Sequence, residues 1–134
     1  MDIQSLIDAA VTARETAYAP YSGFKVGAAL LTKSGRVYTG INIENAAYSP
    51  SNCAERTAFF NAVANGEREF EAICVAGWND NGERGLAYPC GVCRQVMAEF
   101  CDADSFTVII TDSASYKALG LRELLPFGFG KDNL

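Results

Sequence analysis

The spacing of apolar residues along the chain predicts an alternation of helices and strands. From Ile3 to Tyr18 the apolar positions recur every three or four residues, which is the period of a helix with one buried face. Pro20 and Gly23 then interrupt the pattern. The segments FKVGAALLT and VYTGINIE are typical of strands, and the loop Lys33-Ser34-Gly35 joins them.

The length of that loop sets the register of the two strands. With three residues in the loop only Gly35 has to adopt a positive φ, whereas a two-residue Ser-Gly turn would impose a positive φ on the serine as well. The three-residue loop places Phe24 opposite Glu44, and Asn42 on the same face of the hairpin. A polar pair beside an exposed aromatic ring on one face of a hairpin is therefore expected.

The remaining patterns predict two more helices and two more main strands. A helix is expected from about Cys53 to Ala64, followed by a buried strand at FEAICVAGW. A further helix starts at Pro89-Cys90 and runs to about Cys101, before a strand at FTVIIT and a short strand or turn and helical turn. Because a helix precedes each of the last two main strands, residues 1–134 are expected to form one α/β domain, a three-layer αβα sandwich with a mixed sheet.

Charge and composition narrow the classes of function. The chain has 11 basic and 16 acidic side chains, a net charge of −5, and 49% hydrophobic residues. This acidic balance argues against nucleic-acid or anionic-membrane partners, which favour a basic surface. No apolar run is long enough to span a membrane, and the N-terminus lacks the basic region of a secretory signal. A globular cytoplasmic protein is expected.

The cysteines are the strongest candidates for chemistry, because the chain has five of them and no histidine. Cys90 and Cys93 can reach one ion from the start of a helix, although such a pair is equally typical of a redox site or a structural zinc ribbon. Cys53 begins another helix, where the dipole stabilises a thiolate. A closed structural site would need Cys74, which lies in an apolar strand, or Cys101, which lies more than two turns along its helix. Three ligands and an open position favour a catalytic zinc.

The residues beside Cys53 extend this interpretation. Three thiolates already outweigh Zn²⁺ by one negative charge, so Glu55 is expected to move protons and not to bind the metal. The alternative for Glu55 is a first-turn acid that complements the helix dipole. Arg56 is expected to donate to a ligand sulfur and so offset the excess charge. Gln95 is expected to orient the second cysteine loop, and Arg94 either to help the site or to lie on a solvated helix face.

The motifs CAE and PCGVC resemble the signature of zinc-dependent nucleoside and nucleobase deaminases. With FKVGAALL, GINIENAAY, NCAERTAF, PCGVCRQ and LLPFGF, essentially the whole chain is similar to the small homotetrameric cytidine deaminases. The resemblance implies the αβα deaminase fold and one zinc ion per subunit. It also implies hydrolysis of cytidine and 2′-deoxycytidine to uridine and 2′-deoxyuridine plus ammonia, within pyrimidine salvage.

The resemblance also implies roles for individual residues. Cys53, Cys90 and Cys93 would bind zinc, and Glu55 would shuttle the proton. Five further residues would contact the nucleoside: Phe24, Asn42, Glu44, Tyr48 and Phe129. Within this set, the asparagine and the glutamate would hold the ribose 3′-hydroxyl and the first phenylalanine would pack on the pyrimidine, while the last two residues would close sites across subunit boundaries.

The C-terminal segment LRELLPFGFGKDNL is too apolar for a free tail. Pro126, Gly128 and Gly130 prevent a helix from carrying both phenylalanines inward, so Phe127 and Phe129 are interpreted as interface anchors. The family usually has a small or polar residue where Phe127 stands, which leaves open which ring reaches the neighbouring site. An obligate homotetramer with sites shared between subunits is therefore expected.

Three alternatives to a cytidine deaminase remain at this point. The first is a related three-cysteine deaminase that acts on another amine, such as blasticidin S or a free base. The second is a polynucleotide-editing deaminase, which the acidic charge disfavours. The third is a zinc module without catalytic activity that makes protein contacts.

Overall fold

A five-stranded sheet with helices on both faces organises the chain, and the computed structural model describes residues 1–134 throughout. The elements in chain order are α1 (Ile3–Arg14), β1 (Phe24–Thr32), β2 (Val37–Ile41), α2 (Ala54–Ala64), β3 (Phe70–Asn79), α3 (Gly91–Phe100), β4 (Thr107–Thr111), β5 (Tyr116–Gly120), α4 (Leu121–Leu124) and a 3₁₀ turn (Lys131–Asn133). The strand order is β2-β1-β3-β4-β5, in which β3 and β4 are parallel and all other neighbours are antiparallel. The expected mixed three-layer αβα sandwich is confirmed.

Each face of the sheet carries its own apolar core. On one face α1 buries Leu6, Ile7 and Ala10 against the sheet, next to Trp78. On the other face α2 and α3 form the larger core, in which the ring of Phe59 contacts three other phenylalanines. Burial of this apolar surface holds the helices that carry the candidate site residues.

Two glycines allow the helices to approach the sheet closely. A Cβ atom at Gly27 would lie 2.1 Å from the carbonyl oxygen of Ala10 in α1. A Cβ atom at Gly40 would lie 2.3 Å from the carbonyl oxygen of Ala54 in α2. Any larger residue at either position would push a helix away from the sheet. Gly40 therefore fixes the height at which the first turn of α2 stands over β2.

The predicted hairpin register is confirmed. Gly35 adopts a φ of 94°, and the three-residue loop closes between Thr32 and Arg36. Gly27 pairs with Ile41, and the N–H of Asn42 donates to the carbonyl of Val26 at 3.3 Å, which continues the same register.

Three element boundaries differ from the sequence prediction. Helix α1 ends at Arg14 and not at Tyr18, because the N–H of Tyr18 donates to the carbonyl of Asn42 at 3.0 Å and draws the chain away from the helix. Strand β2 ends at Ile41 for the same reason, since the following residues pair with the Tyr18 segment. Helix α3 begins one residue after Cys90, and the proline before it lies outside the helix.

The longest helix is α1, with 12 residues, and none of the helices has the length and apolar character that crossing a membrane requires.

Candidate active site

The N-termini of α2 and α3 meet at one place and bring three cysteines together. Cys53 is the N-cap of α2 and Cys90 is the N-cap of α3, both with extended backbone. The sulfur of Cys90 accepts the backbone N–H of Cys93 at 3.4 Å, so one cysteine caps the helix that carries the other. The positive ends of two helix dipoles therefore face the three sulfurs.

The spacing of the three sulfurs fits a zinc ion. Cys53 Sγ lies 3.7 Å from Cys90 Sγ, which lies 3.4 Å from Cys93 Sγ, and all three sulfurs lie within 4.8 Å of one another. Tetrahedral ligands at about 2.3 Å from one ion are about 3.8 Å apart, close to these separations. Cys74 is buried in β3 and Cys101 follows α3, so neither belongs to this group. The donor set is three soft sulfurs, which suits zinc with one position left for another ligand.

Arg56 contacts the sulfur of Cys53, at a distance of 3.2 Å from Nη2. The hydrogen bond from Cys93 and the Arg56 guanidinium together lower the pKa of Cys53 to about 5. The same coupling and burial raise the pKa of Cys93, since two neighbouring thiols do not ionise equally easily. Arg56 thus places positive charge where three thiolates would otherwise leave the site negative.

Glu55 lies buried in the first turn of α2. Only 5% of Glu55 is exposed, and Glu55 lines a cavity together with Cys53 and Cys90. Burial raises the pKa of Glu55 to about 7, and the charge of Cys53 adds to the shift. A carboxyl group that exchanges a proton near neutral pH is suited to general acid–base chemistry, as the sequence interpretation requires.

A cavity of about 410 Å³ opens above these residues. Cys53, Cys90 and Glu55 line the cavity together with residues from β1 and from the segment after β2. Four of the five predicted substrate contacts lie on this cavity: Phe24, Asn42, Glu44 and Tyr48. A cavity of this volume accommodates a small organic molecule and not a folded polymer.

Asn42 and Glu44 are held by the backbone of neighbouring residues. Asn42 accepts the N–H of Val26 through Oδ1 at 2.9 Å and donates from Nδ2 to the carbonyl of Phe24 at 2.8 Å. Glu44 accepts the N–H groups of Tyr21 and Ser22, each at 3.0 Å, and also the Ser22 hydroxyl. Both side chains are therefore fixed in position before any ligand arrives.

The fifth predicted contact, Phe129, is absent from the cavity lining of its own chain. Phe129 is 61% exposed, and the neighbouring Phe127 is fully exposed with a positive φ of 54°. Tyr48 lies on the cavity rim and is 87% exposed. Three aromatic rings thus project from the surface, and within one chain none of them closes the cavity.

Gln95 does not orient the second cysteine loop, so that expectation needs a correction. Its Nε2 donates to the carbonyl of Phe129 at 2.8 Å, because Gln95 lies on the exposed side of α3 that faces the C-terminal segment. Arg94 makes the loop contact, from Nε to the carbonyl of Pro89 at 2.8 Å, and also donates to the carbonyl of Leu124. Arg94 therefore joins the second cysteine loop to α4.

Sequence patterns did not reveal that Ser22, Ala87 and Tyr88 line the cavity. The Ser22 hydroxyl donates a hydrogen bond to Glu44, but Ser22 lies in the irregular APYSG segment and belongs to no recognisable motif. Ala87 and Tyr88 form a wall of the cavity from the long loop between β3 and α3. Only the position of that loop directly before Cys90 could have indicated that it borders the site.

A family model described as the cytidine and deoxycytidylate deaminase zinc-binding region matches residues 1–109. The chain belongs to this deaminase family. A cytidine deaminase from Sporosarcina psychrophila is 47% identical over 134 residues, covering 100% of this chain and 96% of that protein. The corresponding protein of Halalkalibacterium halodurans is 48% identical, with 100% and 98% covered.

Solved structures of the family share this fold. The crystal structure of cytidine deaminase from Burkholderia pseudomallei has a TM-score of 0.88 and 48% identity, and the match covers 96% of this chain and 100% of that chain. The enzyme from Mycobacterium tuberculosis has a TM-score of 0.84 and 34% identity, with 97% and 98% covered. These matches extend over nearly the whole chain.

Proposed function

We propose that this protein catalyses the zinc-dependent hydrolytic deamination of cytidine and 2′-deoxycytidine to uridine and 2′-deoxyuridine plus ammonia. The observation that carries the proposal is the group of three cysteine sulfurs at the end of a nucleoside-sized cavity, with the buried carboxyl of Glu55 beside them. Family membership and the similarity to cytidine deaminases over the whole chain support the same activity.

Cys53, Cys90 and Cys93 would hold one zinc ion per chain. When bound, the ion supplies Lewis acidity that lowers the pKa of a water molecule at the open position. Glu55 takes one proton from water and delivers it to N3 of the cytosine ring as the water oxygen bonds to C4. Glu55 then carries the proton of the new C4 hydroxyl to the amino group, the C4–N bond breaks and ammonia leaves. Its raised pKa, about 7, suits a group that must both accept and release protons at neutral pH.

The cavity residues from β1 and from the segment after β2 would hold the nucleoside in place. The ring of Phe24 offers a face for the pyrimidine, since it lines the cavity and is 41% exposed. Asn42 retains one N–H and Glu44 retains a lone pair after their backbone hydrogen bonds are counted, so both can bind a ribose hydroxyl. Orientation of C4 beside the metal site is worth several kcal/mol of the barrier.

Residues 1–134 would act as one catalytic domain within a homotetramer. The exposed rings of Tyr48, Phe127 and Phe129 support an interface that closes each cavity with residues of other chains. A cytoplasmic role in pyrimidine salvage follows from the proposed substrates, which are free nucleosides.

A panel of substrates separates this proposal from its alternatives. Ammonia release would be measured with cytidine, 2′-deoxycytidine, cytosine, blasticidin S and a cytosine-containing oligonucleotide, together with the zinc content of the protein. Release from the two nucleosides alone supports the proposal. Release from another amine only would assign the protein to a different deaminase, and zinc without release from any substrate would favour a non-catalytic zinc module.

A further inference from the structure

The loop between β3 and α3 forms one wall of the cavity, yet its backbone is barely held. Ala87 and Tyr88 line the cavity. From Glu83 to Tyr88 no backbone N–H or carbonyl takes part in a backbone hydrogen bond. A wall without backbone pairing needs side-chain contacts to stay in place.

One side chain supplies the polar tether of this segment. Arg84 donates from Nη1 to the hydroxyl of Ser113, in the loop between β4 and β5. The Arg84 guanidinium also lies over the ring of Trp78, with 4.7 Å between Cζ and the ring centroid. Both contacts join this loop, three residues before Ala87, to the end of the sheet.

Trp78 is a rigid support for that contact. It is the only tryptophan of the chain and is 4% exposed. The guanidinium of Arg14 also lies over its ring, 4.4 Å from the centroid, and donates to the Trp78 carbonyl at 2.6 Å and to Asp80 at 2.7 Å. The Arg14 side chain is itself only 2% exposed, so the base of the tether is fixed by the core.

Gly77 lies where this wall meets Phe24, the residue proposed to pack on the pyrimidine. A Cβ atom built at Gly77 would lie 3.1 Å from the Cβ of Ala87 and 3.2 Å from Cε1 of Phe24. Ala87 and the Phe24 ring therefore pack over the same glycine. A shift of the 83–88 segment would change both the wall and the space beside the ring that receives the pyrimidine.

We propose that Arg84 is a positioning residue for the nucleoside site. Its guanidinium, held over Trp78 and bonded to Ser113, keeps the 83–88 segment in place, so that Ala87 and Tyr88 close the cavity beside Phe24. The inference rests on the proposed function, because it names the nucleoside as the molecule that this wall encloses. The wall supplies neither a candidate metal ligand nor the candidate proton carrier, so its loss weakens substrate binding more than turnover.

The kinetic test replaces Arg84 in the zinc-loaded, full-length protein. Arg84→Met, which keeps a flexible unbranched side chain but removes its charge and donors, should raise KM for cytidine about 3- to 10-fold and leave kcat within about twofold. Ser113→Gly removes the hydroxyl at a positive φ that glycine tolerates, and should raise KM in the same direction. Arg84→Lys keeps a cation over the ring and should restore part of the affinity. Arg68→Met, at an exposed arginine that binds its own segment, is the matched control.

Two measurements test the contacts of Arg84 with Ser113 and Trp78 without relying on enzymatic activity. In Arg84→Met the emission of Trp78 should move to longer wavelength, and thermolysin should cut the Gly85–Leu86 bond faster than in the parent protein. If the parent deaminates no nucleoside, the proposed function fails, while these readouts still decide whether Arg84 holds the loop. Unchanged KM, emission and cleavage in Arg84→Met would overturn the proposal, and so would a rise in KM of the same size in the Arg68→Met control.

Discussion

At the scale of single residues, Glu55 would carry the proposed proton transfers without holding the metal. Its carboxyl is buried in the first turn of α2, beside the sulfurs but outside the group of ligand atoms. Glu55→Ala should therefore retain the fold and the zinc and lose about 10²- to 10⁴-fold in kcat. Zinc content by elemental analysis, circular dichroism and cytidine turnover check this outcome. Loss of zinc in the variant would show that the carboxylate is a ligand.

Arg56 provides a second prediction at the same scale. Its guanidinium donates to Cys53 Sγ at 3.2 Å, and it would offset the negative charge of three thiolates around a bound zinc ion. Arg56→Gln should slow turnover about 10- to 100-fold while changing KM much less, because the cost falls on the activation of water and not on the nucleoside seat. Steady-state kinetics with Arg68→Gln as control measure this difference. Unchanged kcat and unchanged zinc content would reduce Arg56 to a packing residue.

At the scale of elements, the sequence allowed some parts of the site to be predicted and concealed others. The hairpin register followed from Gly35 and a three-residue loop, because turn geometry is local. The proximity of Cys53 and Cys90 could be predicted because each stands at the start of a helix and both are candidate ligands of one zinc ion. The contacts of Gln95 and the position of Ala87 depend on how a C-terminal segment and a long loop fold back, and no local pattern encodes such packing.

The close approach of α2 to β2 at Gly40 gives a prediction about the stability of the protein and its hold on zinc. A Cβ atom at Gly40 would lie 2.3 Å from the carbonyl oxygen of Ala54, so Gly40→Ala must push the first turn of α2 away from β2. We expect a loss of about 1–3 kcal/mol in the free energy of unfolding and a weaker hold on zinc, since Cys53 moves with that turn. Gly130→Ala, where no atom lies within 4 Å of the added carbon, is the matched control. Denaturant unfolding and zinc retention that match the control would contradict this account of α2.

At the scale of the whole molecule, the proposed tetramer explains why large rings stand in solvent. Deleting residues 127–134 should abolish the tetramer and reduce activity at every site, while zinc stays bound in the soluble fraction. Phe127→Ala and Phe129→Ala, compared one at a time, should show which ring contributes to a neighbouring cavity. Light scattering coupled to chromatography gives the mass and the same fractions give the activity. A monomer with full activity would contradict the shared-site assembly.

The central claim is that cytidine is deaminated at a single zinc site formed by Cys53, Cys90 and Cys93. The most direct measurement strips the metal with a chelator and follows uridine formation from cytidine as zinc is returned in known amounts. The account predicts no conversion in the stripped protein and a linear recovery that stops at about one zinc per chain. Conversion of cytidine that persists without zinc, or full zinc loading with no conversion, would contradict it.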